Sequence, residues 1–193
     1  ARQWEHDGKF PRDLLYKMGE LGYLGVPIPE EYGGAGLDYI SEAIVFEEVG
    51  YGDSSVRTTL SVQMSLVELT ILKWGTEAQK QRYLPDLCSG QSIGCFGLTE
   101  PNAGSDAGNI ATTAKRVGDE WVLSGQKVWI SNGTWADVAI IFAQTEPGSK
   151  HKGMAAFLVD TKTPGFTSRK MTGKLGLKAS DTGELFLDLS LIH

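Results

Sequence analysis

The residue types best suited to chemistry gather in Gly97-Leu98-Thr99-Glu100-Pro101-Asn102-Ala103-Gly104-Ser105-Asp106-Ala107-Gly108, where a strand-like run opens into small residues interrupted by hydroxyls and acids. Small residues let backbone N–H groups approach a ligand, and Thr99 and Ser105 add hydroxyl donors. Such a segment can cradle a phosphate or the polar edge of a heterocycle. A plain turn-rich connection is the competing reading, and by composition it is the commoner one. The stretch lacks the Gly-Lys-Ser/Thr of a Walker A loop and the strand-turn-helix setting of a dinucleotide fingerprint. A second candidate is Lys127-Val128-Trp129-Ile130-Ser131-Asn132-Gly133, a strand ending in a turn. Strand alternation puts Trp129 and Ser131 on one face, an aromatic plane beside a hydroxyl that suits a flat cofactor. A lone strand tryptophan is more often a core aromatic, and that reading stays open.

The elements that must position these residues change type along the chain. Pro11 and Asp13 open a helix whose apolar positions Leu14, Leu15, Met18 and Leu21 recur at helical spacing up to Gly22. After the turn-rich residues 27–36, Asp38 caps a helix that runs to Gly50 with apolar residues around much of its circumference, which predicts a central position. Asp53 or Ser54 opens a third helix with Val56, Leu60, Met64, Val67 and Ile71 in register, ending at Gly75. Thr76-Glu77-Ala78-Gln79 has the form of a capping box and starts a fourth. From residue 92 the pattern becomes short strands with turn residues between them: 92–99, 112–117, 120–123, 127–130, 138–145 and 154–159. The expected fold is therefore α+β, an N-terminal α-helical domain (1–92) followed by an antiparallel β-barrel domain (93–193).

Bulk properties exclude whole classes of function. With 41% hydrophobic and 22% charged residues the chain has the material for a real core. No apolar run approaches the ~20 residues of a membrane span, and residues 1–7 lack the pattern of a signal peptide, so an intracellular protein is expected. A net charge of -6 with scattered Lys and Arg leaves no footprint for nucleic acid. Cys88 and Cys95 sit in apolar surroundings without ligand spacing to histidine, which predicts buried thiols and no structural metal. The closing apolar run from Leu185 has the look of an unfinished strand, so truncation is expected.

Several motifs together resemble the acyl-CoA dehydrogenase family. Leu98-Thr99-Glu100-Pro101-Asn102-Ala103-Gly104-Ser105-Asp106 is similar to the family signature, and Trp129-Ile130-Ser131-Asn132-Gly133 is similar to its flavin-stacking segment. Pro29-Glu30-Glu31-Tyr32-Gly33-Gly34, Gly75-Thr76-Glu77, Tyr83-Leu84-Pro85 and Lys174-Leu175-Gly176-Leu177 match in the same order, so the resemblance covers nearly the whole chain.

The resemblance implies an FAD-dependent oxidoreductase that dehydrogenates an acyl-CoA thioester between Cα and Cβ and passes electrons to electron-transfer flavoprotein, in fatty acid or amino acid catabolism. It implies flavin contacts at Phe96, Gly97, Leu98, Thr99, Gly104, Ser105, Trp129, Ile130 and Ser131, with Ser105 also touching CoA. Ser131 stands where many relatives have Thr, and it keeps the hydroxyl. The family's C-terminal helical-bundle domain is absent from this chain, and with it the glutamate base, so no catalytic residue is assigned and the chain alone is expected to be inactive. A homotetramer is implied for the full-length protein, cytoplasmic in a bacterium and in the mitochondrial matrix in a eukaryote. The helix around Val56-Arg57-Thr58-Thr59-Leu60 resembles that of glutaryl-CoA dehydrogenases, which implies substrate contacts at Arg57 and Thr58. The planar fork of Arg57 suits a distal carboxylate, while a solvated arginine or a pair with Asp53 is an equal alternative. Two other readings share these motifs: a flavin oxidase or monooxygenase of the same fold, and a non-catalytic two-domain protein that binds CoA esters.

Overall fold

The computed structural model describes residues 1–192, the side chains of 189–192 apart. Two compact units are present: Ala1–Gly94 with Gly173–Asp181, and Cys95–Thr172 with the chain from Thr182 onward. Helices precede strands, as the change in periodicity at residue 92 predicts. The segment 173–181 leaves the second unit to join the first, and no periodicity signals it.

The first unit contains α1 (Arg2–Asp7), α2 (Asp13–Glu20), α3 (Tyr39–Gly52), α4 (Ser54–Ser61), a π-helical segment (Val62–Glu68), α5 (Leu69–Trp74) and α6 (Glu77–Cys88). α4, the π-helical segment and α5 follow one another as the single third helix expected from the sequence. Val56, Leu60, Met64, Val67 and Ile71 are all buried. These positions advance by roughly 3.75 residues per turn, more than the ~3.6 of an α-helix. A wider π turn lets the helix keep that stripe on one face. Asp53 caps the start of α4 by accepting hydrogen bonds from Ser55 N (2.8 Å) and Val56 N (3.0 Å). At α6 the capping box is complete: Gln79 N donates to Thr76 Oγ1 and Thr76 N donates to Gln79 Oε1.

α3 departs from its expected central position. Its one buried residue is Glu42, while Tyr39, Ile40 and Ile44 are exposed. Apolar residues all round a helix show that it needs cover on several sides, and α4 supplies only one of them.

The second unit is a curled seven-stranded sheet: β1 (Gly94–Gly97), β2 (Thr113–Val117), β3 (Glu120–Ser131), β4 (Val138–Gln144), β5 (Met154–Asp160), β6 (Phe166–Lys170) and β7 (Thr182–Ile192). The order is β1-β4-β2-β3-β7-β6, with β5 on the other side of β4. β2/β3, β3/β7, β4/β5 and β6/β7 are antiparallel, whereas β2 meets β4 in parallel at Thr113 and Gln144. Val159 of β5 and Phe166 of β6, from opposite ends of this order, share one core with Cys95, Leu123, Ile130, Ile141 and Leu185, so the sheet wraps around its own apolar face. β3 is one long strand rather than the two short ones read from the sequence. Register shifts at Leu123/Gly125 and Lys127/Ile130 let it bend without ending, which breaks the alternation that periodicity relies on.

The cap at Asp53 sets where α4 begins and so where Arg57 sits. Asp53→Ala is expected to lower stability by about 1 kcal/mol, and Asp53→Ser to restore most of it, as measured by urea unfolding.

Candidate functional site

β1 hands the chain to the loop that carries the signature, and one carboxylate ties that loop down. Glu100 and Lys127 form an ion pair of 2.7 Å with both side chains buried. Lys127 Nζ also donates to Leu98 O at 3.2 Å. Glu100 further accepts from Thr112 N (3.0 Å) and Ala111 N (2.5 Å), so its two oxygens gather three donors. Across the loop, Glu100 and Ala103 exchange backbone hydrogen bonds. Burial pushes the Glu100 carboxyl up, but the bonds from Lys127, Thr112 and Ala111 outweigh it and hold the group below the ordinary carboxylate range. Burial pulls the Lys127 ammonium down from its usual value, and Glu100 opposes the change. Isolated, either charge would be intolerable at this depth; together, with Leu98 O as a second acceptor for Lys127 and two backbone amides on Glu100, they form an anchor.

The loop and β3 are joined directly. Val128 N donates to Thr99 O at 2.9 Å, which sets Thr99 beside the bulge of β3. There Lys127 and Val128 are buried in succession, and Trp129 adopts φ 61°, a left-handed conformation rare for a bulky residue. That backbone turns the Trp129 side chain outward, 63% exposed, between the buried Val128 and Ile130. The core-aromatic reading of Trp129 therefore fails. Ile130 gives its side chain to the sheet core, and Ser131 is half-buried.

On the loop side, the Phe96 ring is tilted against Phe142 with centroids 4.9 Å apart. At Gly97 a Cβ would lie 2.7 Å from Ile141 Cδ1 and 3.4 Å from Ile140 O, so a larger residue would have to displace the Ile141 side chain where β1 meets β4. Leu98 and Thr99 are half-buried, and Gly104 and Ser105 are exposed. Nothing lies within 4 Å of the Cβ direction of Gly104. The hydroxyls of Thr99, Ser105 and Ser131 make no hydrogen bond among the described residues. An outward aromatic plane with uncommitted hydroxyls, on a backbone fixed by a buried ion pair, fits the polar edge and flat face of a heterocycle such as flavin.

Residues 1–91 match the acyl-CoA dehydrogenase N-terminal domain and residues 95–189 the acyl-CoA dehydrogenase middle domain. The chain belongs to the acyl-CoA dehydrogenase family. It is 46% identical over 188 residues to the mitochondrial short-chain specific acyl-CoA dehydrogenase of Bos taurus, covering 97% of this chain and 46% of that protein. With the glutaryl-CoA dehydrogenase of Desulfococcus multivorans it shares 44% identity over 192 residues, 97% of this chain and 49% of the relative. The crystal structure of a glutaryl-CoA dehydrogenase from Mycobacterium smegmatis in complex with FADH2 superposes with a TM-score of 0.92 at 43% identity, covering 98% of this chain and 48% of that one. The chain thus spans about half the length of the curated relatives it matches.

Arg57 and Thr58 belong to the first unit. Thr58 Oγ1 donates to Ser54 O (2.9 Å). Asp53 is engaged by the amides of Ser55 and Val56, and no ion pair with Arg57 forms. The half-buried Arg57 instead lays its aliphatic stem against Gly50. What periodicity and spacing missed is the Glu100–Lys127 pair. A lysine inside an apolar strand next to tryptophan was the available signal, since lysine is almost never fully buried without a partner.

Glu100→Gln keeps the shape and leaves Lys127 buried without its counter-charge. The expected loss is about 3–5 kcal/mol in urea unfolding at neutral pH. Because the folded-state value of Glu100 is depressed, its contribution is complete above the ordinary ~4.3 of a free glutamate and disappears as pH falls through the folded value. The variant should lack that portion of the wild-type acid limb.

Proposed function

We propose that the full-length protein is an FAD-dependent acyl-CoA dehydrogenase, a homotetramer that oxidises an acyl-CoA thioester between Cα and Cβ and delivers the electrons to electron-transfer flavoprotein. The observation that carries this reading is the strained, outward Trp129 hydrogen-bonded through its neighbour Val128 to Thr99, which unites two segments remote in sequence. Holding a tryptophan in the left-handed region costs about 1–3 kcal/mol, and such strain clusters where a ligand uses it. FAD, when bound, supplies the electron acceptor for the dehydrogenation. Trp129 provides a flat apolar wall for the ring system, and the Thr99 and Ser131 hydroxyls offer donors to its polar edge. Phe96, Gly97, Leu98, Gly104 and the backbone of Ile130 complete the seat, and Ser105 extends it toward the CoA moiety.

No glutamate of this chain is assigned as the base. Glu100 serves Lys127, and Glu42 and Glu68 are buried in the helical unit. Abstraction of the α-proton is assigned to the portion of its relatives' length that this chain does not span, and the chain alone is proposed to be inactive. Among the described residues no helix is long and apolar enough to cross a membrane. Relatives come from bacteria and from mitochondria, in keeping with a cytoplasmic or matrix enzyme.

For the acyl group, Arg57 supports a substrate with a distal carboxylate, because its guanidinium has no ion-pair partner among the described residues. Charge-assisted hydrogen bonds of this kind contribute ~1.5–3 kcal/mol, or roughly 10- to 100-fold in kcat/KM.

Two measurements on the full-length protein test these readings. Trp129→Ala should weaken flavin binding by roughly tenfold, followed by flavin fluorescence on titration of the apoprotein, and unchanged binding would remove Trp129 from the seat. Arg57→Met should lower kcat/KM for glutaryl-CoA far more than for butyryl-CoA. An unchanged ratio of the two would discard the carboxylate role.

A further inference from the structure

The helical unit carries a carboxyl group that no part of the proposed chemistry uses. Glu68, the last residue of the π-helical segment, is fully buried, and neither of its oxygens has a hydrogen-bond partner among the described residues. The obvious donor nearby is already engaged. Gln63 Nε2 gives its hydrogens to Leu87 O (3.0 Å) and Ser92 O (3.1 Å), while Gln63 Oε1 accepts from Gly94 N (2.8 Å).

The charges around Glu68 offer no relief. From α3 comes Glu42, itself 6% exposed and held on the same π-helical segment by a hydrogen bond from Ser65 Oγ (2.9 Å). From α6 comes Cys88, whose thiol is pushed up first by burial and then by the charge of Glu68. α4 contributes Arg57, whose stem leans on Gly50, and α5 contributes Lys73, which lies over the exposed Trp74 ring; neither pairs with Glu68. Burial, followed by repulsion from Glu42, drives the Glu68 carboxyl well above the ordinary range. Gln63, whose amide hydrogens are given to Leu87 O and Ser92 O, opposes the shift only in part, and an ionised carboxylate in this position would have no counter-charge.

We propose that Glu68 is a proton-held acid of the helical unit, which folds with this carboxyl neutral against Glu42 and loosens around the π-helical segment when the proton is lost. The sign follows from linkage. An unfolded glutamate ionises near ~4.3, and the folded one later. Between those two values the folded state keeps one proton that the unfolded state has released. Stability from this group is therefore full below ~4.3, falls by about tenfold in the folding constant per pH unit, and levels off above the folded value.

The test is urea unfolding of the chain from pH 5 to 9, comparing wild type with Glu68→Gln and Glu68→Leu. The wild type should lose stability relative to either variant at about tenfold per pH unit until the folded value is passed. Glu42→Gln should end that decline at lower pH. Parallel pH profiles for wild type and both variants would overturn the proposal. Should the variants fail to fold, infrared spectroscopy of the wild type decides it. A protonated carboxyl C=O band that survives at pH 7 and vanishes at higher pH supports the proposal, and its absence at pH 7 refutes it.

Discussion

A lysine ammonium and a glutamate carboxylate, both buried, hold the functional half of this molecule in shape. Neither Glu100 nor Lys127 could be buried alone. Their attraction, with three donors on the carboxylate and a second acceptor on the ammonium, makes burial tolerable. The consequence is geometric. Glu100 belongs to the signature loop, Lys127 to β3, and Ala111 and Thr112 to the approach to β2, so one ion pair fixes three separate stretches of chain. A hydrophobic pair could fill the same space, but it would not satisfy the amides of Ala111 and Thr112.

From that anchor the site follows by short steps. Val128 stands next to Lys127 and donates to Thr99; Trp129 stands next to Val128 and has its backbone bent into the left-handed region. Strain at Trp129 is tolerated because Val128 and Ile130 on either side are locked in the core. The result is an exposed aromatic on a rigid backbone, with the Thr99 and Ser131 hydroxyls left uncommitted.

The helical unit obeys a different constraint. Its long third helix has more residues per apolar turn than an α-helix allows, and the π-helical segment absorbs the excess while keeping Val56 through Ile71 inside. The same segment brings Gln63, Ser65 and Glu68 into the interior. Gln63 and Ser65 find hydrogen-bond partners there, whereas the oxygens of Glu68 find none among the described residues.

While α1 and β6 went unread, local residue chemistry by itself determined the change from helices to strands near residue 92, the start of a helix at Asp53 or Ser54, the cap at Thr76, the buried stripe from Val56 to Ile71, and the resemblance to a flavoenzyme family. Each rests on a pattern that neighbours in the chain impose: periodicity, capping geometry or an uninterrupted motif. Tertiary structure alone decided the rest. It made one bulged strand of two apparent ones, sent residues 173–181 to the first unit, left α3 exposed despite its apolar sequence, turned Trp129 outward, and joined Lys127 to Glu100 across 27 positions. The physical reason is common to all of these. A bulge, a burial side and an ion pair depend on which distant segment lies opposite, and the spacing of residues within one element carries no record of that partner.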